Sequence, residues 1–344
     1  MINKISRFLV SLSLILWLSG ITLWSVLALV YGDSYSSPIQ IAIASSVALS
    51  GLIAIITQII STSWRRRLFW IHHIIFLIVI TWWFNIQPSN DRNWQTDLSK
   101  LAYASVNGDL VTVHNIRNFS YRSEFDYQPD YYDKTFDLNK LEGVDLIATY
   151  WMGPAIAHIF VSFDFGNNNY LTISIEARKE DNEGYSTIKG FFRQYELIYI
   201  VADERDVIGL RTHYRQDPAE DVYIYRSQAP KENVKRLFLE YITNINALYE
   251  KPSFYNTMLS NCTTVIWLHS KVNPNHLPFS WKILLSGYLP EYIHESGGFN
   301  QDLTFTELKK QAYINPLVNG RDISTDFSTA IRRLPVHTDS TTAP

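Results

Sequence analysis

The chain has one cysteine in 344 residues, Cys262. That excludes an internal disulfide framework and the paired-cysteine metal motifs. Its nine histidines form no His-x-x-x-His pair, so the common helical zinc signature is missing too. No cofactor is expected. Basic residues are not in excess, at 30 Lys and Arg against 33 Asp and Glu. Five of those 30 and one of those 33 precede residue 91, so the remainder carries a formal charge of −7. An acidic domain without a basic stripe excludes nucleic acid as a partner, because phosphate binding needs clustered cations. There is no internal repeat and no low-complexity linker.

Charge is missing altogether from three stretches, 8–32, 34–64 and 68–90. Each exceeds the roughly 20 residues a helix needs to cross a hydrocarbon core. Trp24, Trp64, Trp70, Trp82 and Trp83 lie toward segment ends, where indoles anchor at the interface. The first stretch is longer than the apolar core of a signal peptide and lacks a clear small-x-small cleavage site, so it reads as a retained helix. Lys4 and Arg7 precede it, and Arg65, Arg66 and Arg67 separate the second and third stretches. Basic residues stay on the inner side, so the N-terminus is expected inside and everything beyond residue 90 outside. His72 and His73 fall within the third stretch. They either line a polar site between helices or face a neighbouring helix or the headgroups. The lipid bilayer is thus one expected partner; protein partners are not legible.

The expected organisation is a three-helix transmembrane region over 1–90 (helices near 8–31, 38–63 and 68–86). A linker and first strand follow over 91–120, with a globular domain over 121–275 and a helical extension with a disordered tail over 276–344. Residues 91–110 suggest a short polar helix and linker. The acidic, tyrosine-rich stretch 120–140 has no period and reads as an ordered loop. Alternation and β-branched content predict strands near 109–119, 144–152, 155–165, 170–178, 193–202 and 221–226. A helix is predicted over 231–250, where Val234, Leu237, Phe238, Tyr241, Ile242, Ile245 and Leu248 recur at helical spacing. Others are predicted over 261–272 and 280–295. The fold class is therefore three membrane helices plus one α+β domain.

Two strands carry chemistry. Ile159, Val161 and Phe163 share a face of one, and Leu171, Ile173 and Ile175 share a face of the next. Burying both faces together pairs Ile159 with Ile175, Val161 with Ile173 and Phe163 with Leu171, and a one-residue slip would oppose apolar to polar residues. Gly166-Asn167-Asn168 is left as a three-residue loop, where Asn tolerates the left-handed backbone. The other face then sets His158 beside Glu176, Phe160 beside Ser174 and Ser162 beside Thr172. Opposed Cβ atoms lie about 5 Å apart, within reach of a His–carboxylate contact. Such a pair also occurs as an ordinary cross-strand contact.

Cys262 falls on the outer side in this topology, where secreted cysteines usually pair. A single one is buried and inert, linked to another chain, or reactive. Ser260 or Asn261 can cap a helix here, which puts Cys262 in a first turn. There free amides and the helix dipole favour the thiolate, the nucleophilic form.

Several of these segments together carry a resemblance. They are Ala157–Phe163, Ser174–Arg178, Glu204-Arg205-Asp206 followed by Arg211, Val222–Tyr225, and Tyr255-Asn256 before Asn261-Cys262-Thr263. From about 110 to 270 the chain resembles the Lnb N-terminal periplasmic domain family of bacterial membrane proteins. The family is similar to circularly permuted papain-like or NlpC-type thiol enzymes, with an antiparallel sheet packed on helices and a strand-borne His ahead of the Cys. The resemblance implies an inner-membrane protein with a periplasmic domain. It implies Cys262 as nucleophile, His158 as base and Glu176 as the group orienting the imidazole. Ser162 is an alternative for that third role, and Asn261 an additional oxyanion donor. Arg178 and Arg211 would bind a substrate carboxylate or pair with Glu204 and Asp206.

The implied function is a membrane-anchored thiol hydrolase or acyltransferase acting on an amide or ester of a cell-wall peptide or an acylated envelope lipid or protein. A second reading is a non-catalytic envelope binding or scaffold module. A third, a metal hydrolase using His158, Glu176 and His213 or His269, lacks any supporting ligand spacing.

Overall fold

A computed structural model of the chain describes residues 2–32, 37–60, 63–181, 183–320, 323 and 326–333. Asp33, in the first inter-helix loop, and the tail 337–344, expected to be disordered, lie outside the described residues. The chain divides into two compact units. One is Met1–Ser89 with Asn182–Glu196 and Phe254–Thr257; the other is Asn90–Asp181, Leu197–Ser253 and Met258–Pro344.

The first unit holds α1 (Ile2–Tyr31), α2 (Pro38–Ile60) and α3 (Arg65–Asn85). Within them Phe8–Tyr31, Pro38–Ile60 and Arg65–Asn85 are long and apolar enough to cross a membrane. Small residues set the α1–α2 contact: a side chain at Gly51 would collide with Thr22, so the backbones approach closely. His72 is 1% exposed. Its ring binds Thr22 of α1 and Ser50 of α2, both at 2.9 Å. His73 Nδ1 lies 2.8 Å from the Phe69 carbonyl, and Trp17 Nε1 donates to His73 Nε2 at 2.8 Å. Both rings thus face neighbouring helices, and their nitrogens are hydrogen-bonded within the helix bundle. Arg193 closes the end of α3, donating to the carbonyls of Trp83, Phe84 and Ile86. A cation there complements the helix dipole.

The second unit is an α/β domain with a mixed sheet. Its strands are β1 (Tyr103–Asn107), β2 (Leu110–Arg117), β3 (Ser120–Tyr121), β4 (Tyr127–Gln128), β5 (Tyr131–Asp137), β6 (Gly143–Tyr150), β7 (His158–Asp164), β8 (Tyr170–Arg178), β9 (Glu196–Ala202) and β10 (Asp221–Arg226). The order is β1-β2-β9-β8-β7-β6-β10, with β5 also on β2 and a separate β3–β4 hairpin. The expected sheet was antiparallel. The correction is the parallel bridge between Arg117 of β2 and Ala202 of β9, a pairing between distant segments that local alternation does not register.

Helix α4 (Glu204–Gly209) follows β9; α5 (Lys231–Glu250) and α6 (Cys262–Ser270) follow β10. Helix α5 buries Val234, Phe238, Tyr241, Ile242, Ile245 and Leu248. Each large apolar side chain so buried contributes about 1.5–3 kcal/mol. The other sheet face, including Ile147, Phe160, Ile198, Ile200 and Val222, is covered by α4 and C-terminal residues such as Ile314, Val318, Phe327 and Ile331. Burial on both faces explains the unbroken apolar run of β9.

The remaining helices are α7 (Trp281–Leu284), α8 (Leu289–Glu295), α9 (Phe305–Ala312), α10 (Asn315–Val318) and α11 (Phe327–Ala330). The predicted helix over 280–295 is broken between α7 and α8. Pro290 opens α8, and proline cannot donate to a continuous helix ladder. The break packs against the residues leading into β7: Gly287 N donates to Ala155 O at 3.0 Å, and Ala157 N to Ser286 Oγ at 2.9 Å. The stretch 120–140 is a further correction, because β5 within it pairs with β2 from Tyr131↔Arg117 to Asp137↔Leu110. Only Phe136 of β5 is buried, so little apolar alternation marks the strand. Residues 91–110 hold one 3-10 turn, Thr96–Leu98, and β1 rather than a polar helix.

Candidate active site

The β7–β8 hairpin follows the register its alternation predicts, with Val161↔Ile173, Ser162↔Thr172 and Phe163↔Leu171. Gly166, Asn167 and Asn168 all have positive φ, at 72°, 52° and 60°. Phe165 N donates to Asn169 O at 2.8 Å across them, closing the three-residue loop. The ladder ends at Val161 and Ile173. Beyond it, side chains carry the contact.

His158 Nε2 lies 2.7 Å from Ser174 Oγ and 3.5 Å from Glu176 Oε1. Ser174 Oγ donates to Glu176 Oε1 at 2.7 Å. Arg211 Nη2 donates to the same carboxylate oxygen at 3.3 Å. The His158 ring also stacks on Phe160, with centroids 5.4 Å apart, and the Arg211 guanidinium sits 5.1 Å from that phenyl ring.

Cys262 is the first residue of α6. Asn261 caps the helix, its side chain accepting from Thr264 N at 2.8 Å. Met258 O accepts from Thr264 Oγ1 at 3.0 Å, and Ile283 O from Thr263 Oγ1 at 2.6 Å. The first turn is therefore held from both sides. Cys262 is half-buried, and its sulfur faces the His158 side chain and the backbone at Ile159 and Thr263.

Burial opposes charge on all three groups, and their mutual contacts overcome it. Burial pushes the Cys262 thiol up, but the His158 hydrogen bond and the nearby imidazolium bring it below the ordinary thiol value. Burial pushes His158 down, but Cys262 and Glu176 raise it to about 9. Burial pushes Glu176 up, but His158, Arg211 and Arg215 hold it well below the usual carboxylate range. Both shifts, the thiol downward and the imidazole upward, run in the direction of a thiolate–imidazolium pair, and the thiolate is the nucleophilic form.

Other residues singled out in the sequence stand elsewhere. Ser162 is fully buried and donates to Glu204 Oε1 at 2.6 Å, so it does not orient His158. Arg178 is 2% exposed. It donates to the Leu98 and Ser99 carbonyls and lies 4.1 Å from the Trp94 ring, anchoring β8 to the 3-10 turn. Asn261 stays beside Cys262, its side-chain oxygen capping α6. Arg211 pairs with Glu176 and with Glu220 at 3.5 Å, not with Glu204 or Asp206. Those acids serve Arg332 and Arg117. Of the two other histidines considered as ligands, His269 bonds Tyr199 at 2.8 Å, and His213 bonds Thr212 at 2.8 Å; among the described residues no three metal-binding side chains converge. Sequence reasoning missed Ser174, although it shares a strand face with Glu176 two residues on. It also missed Arg215, which pairs with Glu220 at 2.9 Å and Glu124 at 3.2 Å; no local pattern marks it.

Residues 127–287 match the model of the Lnb N-terminal periplasmic domain family. The match takes in His158, Ser174, Glu176, Arg211 and Cys262, and it agrees with the family the sequence resembles. Neither a curated protein nor a solved structure matches the chain.

Proposed function

We propose that the protein is a membrane-anchored periplasmic thiol hydrolase or acyltransferase, with Cys262 as nucleophile, His158 as base and Glu176 as the carboxylate behind the imidazole. The observation that carries this reading is the placement of Cys262, at the start of a helix, against the His158 side chain on a strand, close enough for each to shift the other's titration. A permuted papain-like architecture, with the His strand preceding the Cys helix, is part of the same proposal. So is a multi-pass topology with the N-terminus inside and the α/β domain outside, which the arginines at 65–67 support.

The Cys262 proton passes to His158. The thiolate attacks a carbonyl carbon, and the carbonyl electron pair moves to oxygen, facing the amides at the start of α6. Collapse breaks the bond to the leaving amine or alcohol, which takes its proton from His158. Water or an acceptor then gives a proton to His158, attacks the thioester and releases the Cys262 thiol.

Exposed apolar side chains flank the pair along the chain. Met152 and Ile156 precede His158, Met258 and Leu259 precede Cys262, and Leu284 and Leu285 lie in the segment bonded to both approaches. Exposed apolar clusters mark binding surfaces. This rim favours an acyl-bearing envelope substrate over a polar cell-wall peptide. It would also suit a non-catalytic binding module, the rival reading.

Trapping separates the two. Purified full-length protein is incubated with p-nitrophenyl acyl esters of increasing chain length and analysed by intact mass and peptide mapping. The expected result is a hydroxylamine-sensitive adduct on Cys262, favoured by longer chains and lost in His158→Ala. No adduct, together with alkylation kinetics unchanged in His158→Ala, would establish the binding module instead.

A further inference from the structure

Resting on the catalytic reading above, we propose that Ser174 is a positioning residue: it carries the orienting hydrogen bond between Glu176 and the imidazole of His158. The third member of the site is then a serine–carboxylate relay rather than a carboxylate in direct contact.

Distance separates the two routes. The direct His158 Nε2 to Glu176 Oε1 approach is 3.5 Å, beyond a good N–H···O hydrogen bond. Each link through Ser174 is 2.7 Å. A hydroxyl has one proton and two lone pairs. Glu176 is paired with Arg211 and, as a carboxylate, only accepts, so the Ser174 proton goes to it. Ser174 Oγ is left as an acceptor, and His158 Nε2 must be its donor. The requirement holds for neutral imidazole and for imidazolium alike. In either state Nδ1 is the ring nitrogen left for Cys262.

Burial of Ser174 favours the hydroxyl over a water in its place. Ser174 is 0% exposed, so water cannot readily take over a lost hydroxyl. The charged groups around the relay keep its polarity fixed. Arg211 pairs with Glu176 and with Glu220, which Arg215 also grips. Among the described residues no other hydroxyl bonds both His158 and Glu176.

The test is the pH dependence of Cys262 alkylation in full-length protein, using iodoacetamide, for wild type, Ser174→Ala, Ser174→Thr and His158→Ala. Removing the hydroxyl should raise the apparent thiol pKa and slow labelling at neutral pH about tenfold, one pKa unit. Ser174→Thr, which keeps the hydroxyl on a strand that tolerates β-branching, should restore most of the rate. Thermal melts run in parallel confirm that each variant is folded, and a purely structural role would move the melt without moving the thiol titration. Should Ser174→Ala prove unstable, Glu176→Gln at the other end of the relay must produce the same shift. A Ser174→Ala titration that superposes on wild type, or a shift that Thr does not reverse, would overturn the relay. If His158→Ala still abolishes rapid labelling in that case, the Cys–His reading survives. If His158→Ala is also silent, that reading fails with it.

Discussion

At the scale of single residues, a few contacts set how readily Cys262 loses its proton. Burial alone would favour the neutral thiol. The imidazole at its side works against this, and the imidazole is in turn held by Ser174 and Glu176. Glu176 is the group whose protonation should unlock the site. Burial works against its charge, but His158 and Arg211 keep its folded pKa well below the ordinary 4.5. A depressed carboxylate contributes stability that is fully present above 4.5 and is lost as pH falls through the folded value. Glu176→Gln should therefore flatten the acid limb of a plot of melting temperature against pH, below about 4.5. The measurement is a series of thermal melts from neutral pH downward. An acid limb as steep as that of wild type would remove Glu176 from the coupling. Legibility differed among these residues. His158 and Glu176 follow from strand alternation and one loop, because period two fixes faces. The same alternation places Ser174 opposite Phe160, but which hydroxyl bridges which atoms depends on side-chain rotamers, and no pattern encodes those.

At the scale of elements, the site joins the start of β7 to the start of α6, more than 100 residues apart in sequence. Helix α6 begins where it does because Asn261 accepts from Thr264 N. Asn261→Ala should cost about 1 kcal/mol of stability, and Asn261→Ser should recover most of it. Urea titration of the three proteins measures this, with fraying of the first turn expected to slow Cys262 alkylation in the alanine variant. An alanine variant as stable as wild type would mean that the cap is not what fixes the turn. The broken helix around Gly287 and Pro290 has the complementary task of clasping the approach to β7. Helical periodicity runs across 280–295 without showing the break, since the cause is a tertiary one. A side chain at Gly287 would collide with the backbone at Pro154, so the chain turns there to pack. Edge strand β5 was illegible for a different reason: most of its side chains are not buried, and alternation is visible only where one face is.

At the scale of the whole molecule, the C-terminal segment is part of the α/β unit's core rather than an appendage. Arg332 reaches Asp145 at 2.7 Å and also pairs with Glu204, both acids being buried, while its guanidinium lies 3.7 Å from the Tyr170 ring. Removing one partner of a buried ion pair leaves an uncompensated charge and costs about 3–5 kcal/mol. Arg332→Ala should therefore destabilise the α/β unit by that order, read as a lowered midpoint in chemical denaturation. A change below about 1 kcal/mol, as for a surface pair, would show that the segment is dispensable. The apolar helices α1 to α3 belong to the other unit, and their polar atoms close on one another through His72, Thr22 and Ser50.

The sequence by itself determined the features that depend on local periodicity and composition. Charge-free runs of sufficient length define the three apolar helices. Alternation defines the β7–β8 register, and the asparagine before Cys262 marks a helix start. These are properties of neighbours in the chain, and each has a fixed geometric period. The tertiary structure alone decided that Cys262 meets His158, that Ser174 rather than Ser162 stands behind the imidazole, and that Arg211 serves Glu176 and Glu220. Periodicity says which way a side chain points on its own element. It carries no information about the distance between elements, which packing of α6 and the Gly287 turn against the start of β7 sets.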